Sequence, residues 1–179
     1  MAHVAALFVF TLVFTLSVRS QGISDTPYAG EQTRNIKALS DSDIQSYRTG
    51  AGMGLAKAAE LNHYPGPLHV LALADELRLT TEQRTHVRRL MENMKEQAIP
   101  IGERIVQLEA RLDSLFSLAL IDTATVRSLT RDIALLQAAL RSVHLEAHLA
   151  QRALLSTGQV DLYDRLRGYS SNTTPHTHH

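Results

Sequence analysis

The sequence predicts an all-α protein whose centre is a long, kinked antiparallel helical hairpin with short flanking helices. Three observations carry that expectation. Two leucine-rich seams run in steps of three and four, one on each side of a short turn. Aromatic residues are only 5% of the 179 and Trp is absent, so Leu, Ala, Ile and Val must fill the core, a composition that suits helix packing better than a sandwich or barrel. Hydroxyl residues with Gln or Asp three positions on recur where helices would begin.

The first seam is Val87, Met91, Met94, Ala98, Ile101, Ile105, Leu108, Leu112, Leu115 and Ala119. The second is Val126, Leu129, Ile133, Leu136, Leu140, Val143, Ala147, Ala150 and Leu154. Spacing of this kind puts each set on one helix face, and two such helices joined by a few residues fold back on each other. Pro100 falls inside the first seam and predicts a kink there. Asp122 caps the second helix, and Ser40 with Asp43 opens a short one near the start of the domain. "TGAGMGLA" (Thr49 to Ala56) has three glycines in five residues, but no strand precedes it and no Lys-Ser/Thr pair follows, so it reads as a bend between helices. "NHYPGP" ends one helix and starts the next at about Pro67. Leu145 and Leu149 stand off the second seam, and a partner subunit would cover what the short helices leave exposed.

The chain is expected to divide as a signal peptide (1–20), a flexible polar leader (21–38), a helical LTxxQ-type domain (39–169) and a disordered polar tail (170–179) with three histidines in its last four residues, "HTHH". The signal peptide rests on the fifteen-residue run Val4 to Val18, short for a membrane span and followed by small residues before Gln21. Export is the expectation. There is no cysteine, so disulfides, thiolate catalysis and thiolate zinc sites are excluded. Eighteen basic and eighteen acidic residues balance, and no net field draws the chain to nucleic acid. No Ser-His-Asp set or carboxylate pair can be placed together, so the chain is expected not to be an enzyme.

"LTTEQ" (Leu79 to Gln83) and "LSTGQ" (Leu155 to Gln159) are both capping boxes, and by themselves they mark helix starts and contribute no chemistry. As a pair flanking a long hairpin, behind a signal peptide and without cysteine, they resemble the Spy/CpxP group of periplasmic proteins, named for paired LTxxQ motifs. The likeness covers roughly Leu39 to Tyr169, and "GMGLAKAAELNHYPGPLHVLALADELRLTTEQ" looks like its heavy-metal-resistance or refolding-chaperone branch. The second motif departs from the pattern, with Ser for Thr and Gly158 beside the Gln. The resemblance implies a curved antiparallel homodimer in the periplasm. It implies one of three roles: ATP-independent chaperone for unfolded or misfolded envelope proteins, metal sensor, or inhibitor of a membrane sensor kinase. A shared scaffold does not choose among them.

The resemblance implies a metal site of His-x-x-x-His before the first motif, a carboxylate on the long helix and His-x-x-x-Met late in the hairpin. Here His69 is present, with Leu73 in place of the second ligand; His148 is present, with Arg152 in place of the Met. His144 and His148 are four residues apart, close enough on a helix to share an ion, and Glu92 or Glu146 could add an oxygen. A divalent metal (zinc, nickel, cobalt or copper) at His69, His144 and His148 is one expectation; histidines satisfied by their neighbours are the other. A chaperone needs a face mixing basic and apolar groups. Arg84, Arg88, Arg104 and Arg111 are its candidate client-binding residues, and Arg outnumbers Lys by 15 to 3. Interleaved Glu92, Glu96, Glu103 and Glu109 allow the plainer reading of a solvated face with i, i+4 pairs.

Overall fold

The computed structural model describes residues 27–170; the expected signal peptide and most of the tail lie outside them. The chain forms two units, Met1–Gln32 and Thr33–His179. In the first, a turn at its end is closed by the Glu31 N–H on the Tyr28 carbonyl (3.1 Å). Among the described residues the second carries six α-helices: α1 (Asp41–Thr49), α2 (Lys57–Glu60), α3 (Pro67–Ala72), α4 (Thr81–Ser117), α5 (Thr123–Leu154) and α6 (Thr157–Arg167). No described residue lies in a strand, and no described helix is long and apolar enough to cross a membrane.

Helix starts follow the local chemistry. Ser40, Thr80 and Ser156 each accept from the backbone N–H three residues on, while Asp43, Gln83 and Gln159 reach back to the cap. Gly158 leaves the third box complete. Asp122 accepts from the Thr125 N–H at 2.7 Å, and Pro67 opens α3 at its first position, where no N–H is needed.

α4 and α5 lie antiparallel, as their seams require. Leu108 packs on Leu129 and Ile133, while Ala98 and Ile105 pack on Leu140 eleven residues or so further along α5. α4 runs unbroken through Pro100. The carbonyl of Glu96, which a proline four residues on cannot serve, belongs to an exposed residue, so water can serve it. The seam stops at Leu115: Ala119 lies beyond the helix, exposed, in a left-handed conformation at φ +54° where the chain bends.

The short helices cover the hairpin unevenly. At the base, Val70, Ala74, Leu77 and Leu79 join Val87 of α4 and Val160 and Tyr163 of α6 in one cluster. α1 crosses the middle of α4 where Gly102 lets the backbones meet; a Cβ there would stand 2.3 Å from the Tyr47 carbonyl oxygen. The expected flexible leader reaches too far. Ile36 and Leu39 are buried against Val106, and Asp113 holds both the N–H and the ammonium of Lys37 at 3.2 Å, so the packed region begins before the first cap.

Candidate functional site

His69, His144 and His148 come from α3 and α5, yet all three line one cavity of about 560 Å³. Its other walls include the glycine-rich loop 49–54, Lys57 and Glu60 of α2, and Met91, Met94 and Lys95 of α4. A volume of that size is within the range of small-ligand sites.

Glu60 organises one side of it. The residue is only 8% exposed, and its carboxylate accepts a short hydrogen bond from the Tyr163 hydroxyl, one from the Gly66 N–H at 3.0 Å and a long one from the Tyr169 hydroxyl at 3.3 Å. Nδ1 of His69 and Nδ1 of His148 stand 3.6 and 3.7 Å from its oxygens, and Nε of Arg167 3.9 Å. Burial, reinforced by the bond to Glu60, pushes the Tyr163 phenol well above its ordinary range, so it stays a donor. The network ties α2 to α6.

The two histidines of α5 differ. Nδ1 of His148 donates to the Tyr64 carbonyl at 2.7 Å, which leaves the Nε2 edge of the ring for other contacts. That edge lies against Gly66, where a Cβ would come within 2.9 Å of the ring, so glycine is required by space. His144 is 2% exposed and its Nε2 has no partner. Burial, and secondarily the neighbouring His148, lower its pKa, so the ring is neutral at neutral pH. An orphaned buried nitrogen costs about 1–3 kcal/mol, and one heptad along Gln151 has both amide atoms equally unpartnered.

No family model matches this chain, and no curated protein or solved structure matches it. The site must be read from its own atoms.

Among the described residues no group of three His, Asp or Glu side chains is arranged to hold a metal ion. The reasons are visible. Glu60 already serves Tyr163 and Gly66, His148 spends one nitrogen on a carbonyl, and Glu92 and Glu146 are exposed and off the cavity. Leu73 packs against the base cluster, and Arg152 turns to the Leu155 carbonyl at 3.4 Å. The residues as they stand do not fit a divalent centre.

The arginines separate as well. Arg84 is structural: its guanidinium donates to the Leu79 and Ala74 carbonyls at 3.2 and 3.1 Å and pairs with Asp75 at 2.6 Å, closing the turn before α4. Arg88, Arg104 and Arg111 are exposed, and Arg104 bonds only its neighbour Gln107, at 3.1 Å. Steps of seven lead from Arg104 to Arg111 to Leu118, one face of the helix ending in apolar surface at the hairpin bend. There Phe116, Leu118 and Leu120 are 57%, 62% and 68% exposed. Sequence reasoning missed Glu60 and Tyr163, whose only signal was a carboxylate and a phenol within otherwise apolar stretches. Nor does the seam spacing reveal that Met91 and Met94 border the cavity.

Proposed function

We propose that the chain is an exported, ATP-independent binding protein of the LTxxQ type that shields unfolded envelope proteins. The observation that supports this reading most is the apolar bend: three large side chains, more than half exposed, at the end of the hairpin, one of which, Leu118, continues the helix face of the exposed Arg104 and Arg111. Apolar contact would supply affinity and the arginines would guide acidic or aromatic segments onto it, with no nucleotide needed. The processed chain, added at equimolar ratio, should slow aggregation of a chemically unfolded client without ATP. Leu118→Ser with Leu120→Ser should abolish that effect without changing the melting temperature. No slowing for any of several clients overturns the reading.

A second reading, a sensor or buffer of divalent metal, is favoured by the meeting of His69, His144 and His148 on one cavity. It requires rearrangement, because no three donors are now in place. Zinc, nickel, cobalt and copper(II) titrated into a chain with His176, His178 and His179 replaced by Ala test it. Affinity unchanged by His148→Ala removes it.

A further inference from the structure

Every methionine of this chain except the first lies on the same cavity. There are four in all; Met53, Met91 and Met94 are the other three. Methionine commonly fills irregular gaps in a core, and Met94, 9% exposed, is buried with its seam, yet it borders the cavity together with Met91 and Met53. Val87, before them on α4, belongs to the base cluster, and Ala98, after them, packs with Ile105 and Leu140; neither cluster includes Met91 or Met94. At these two positions the seam also borders the cavity. Met91 and Met94, three residues apart, share a helix face. On the α5 side the same cavity is lined by His144, 2% exposed, with an Nε2 that no protein group satisfies. Met53 sits on the loop, 40% exposed, at φ +47°, between Gly52 and Gly54, where an added Cβ would meet nothing within 4 Å.

Two thioethers and a neutral imidazole, with a third thioether on an open loop, are uncharged donors at the soft end of the scale. Hard divalent ions prefer carboxylate and water; copper(I) takes thioether and imidazole in low coordination number. A thioether needs no deprotonation before it binds a metal ion. We propose that Met91, Met94 and His144 form a site for a soft monovalent cation of the copper(I) class, with Met53 supplying a further sulfur from the loop. Such a site needs neither of the readings above, and its sulfur donors distinguish it from a divalent centre on His69 and His148.

Copper(I), held reduced by ascorbate without oxygen, is titrated into the full chain carrying Ala at His176, His178 and His179, against a colorimetric copper(I) chelator. One equivalent should be withheld from the chelator, and silver(I) should displace it. Met91→Leu and Met94→Leu nearly conserve volume, and each should weaken binding by at least the roughly tenfold that even an outer-shell change costs. The double variant should retain no copper while its helical circular dichroism and melting are unchanged, and His148→Ala should still hold the ion. Failure of the parent chain to compete, or equal retention by the double leucine variant, overturns the site. So does loss of copper(I) in His148→Ala with retention in the leucine variants, which would place the ion on the histidine cluster.

Discussion

The side-chain amides of Gln83 and Gln159 hydrogen-bond to each other in both directions, at 2.9 and 3.1 Å, across 76 residues of sequence. Each Oε1 also accepts from its own cap, the N–H of Thr80 or Ser156, at 3.0 Å. Each Nε2 donates to a carbonyl near the other helix start: Gln83 to Leu154 at 2.9 Å, Gln159 to Leu77 at 3.2 Å. The repeated motif is therefore more than two caps. It is one clasp that fixes the start of α6 to the start of α4.

That clasp predicts coupling. Gln83→Ala and Gln159→Ala should each cost about 1–2 kcal/mol, a cap contribution plus a tertiary hydrogen bond. The double variant should cost less than the two combined, by roughly 0.5–1.5 kcal/mol. Urea unfolding followed by helical circular dichroism measures all three; strict additivity would mean the glutamines act as separate caps.

Gly102→Ala should destabilise by roughly 1–3 kcal/mol or more, because the added methyl meets the Tyr47 backbone and not a side chain that can swing away. An exposed glycine in mid-helix would respond in the opposite sense, gaining about 0.5–1 kcal/mol. Melting temperature decides the sign.

Tyr163→Phe removes the shortest donor to a buried carboxylate and should cost about 1.5–3 kcal/mol. Glu60→Gln on the same background should recover part of that loss, since an uncharged amide needs less. A phenylalanine variant as stable as the parent would show that Gly66 and Tyr169 suffice.

Stability should fall in mild acid through His144. Its folded pKa lies below the ordinary 6.5, so the unfolded chain takes the proton first. The contribution is complete above about 6.5 and is lost as pH drops from there through the depressed folded value. Unfolding free energies at pH 7.5 and pH 5 should therefore differ more in the parent than in His144→Gln. The Asp43 and Asp122 carboxylates, held below 3.8 by their cap hydrogen bonds, act at lower pH and cancel in the comparison.

Arg84 should part company with the other three candidates. Arg84→Ala should lower stability by about 1–3 kcal/mol by releasing two carbonyls and Asp75. Arg88→Ala, Arg104→Ala and Arg111→Ala should leave melting within about 0.5 kcal/mol, as exposed substitutions do. Any loss of client protection in those three then reports on binding.

The hairpin was legible because its signal is periodic: Leu108, Leu129 and Ile133 meet as their spacing requires, and each cap residue finds the N–H expected of it. The docked segment around Ile36 was not, since two apolar residues among polar ones have no period. The cavity was half legible. His69, His144 and His148 could be singled out by residue type, but Glu60 and Tyr163 meet across 103 residues, and no local pattern announces such a pairing. Met94 is buried as its place in the seam requires, but periodicity alone does not show that it and Met91 also border the cavity.

The N-terminal segment braces α4 as far as Asp113, and beyond that the two long rods hold each other only through Leu112, Leu115, Leu129 and their neighbours. At about 1.5 Å per residue, α4 alone is some 55 Å long. Drawn apart at the bend, the molecule would unzip from there toward the riveted base, and the glutamine clasp would be the last thing to let go.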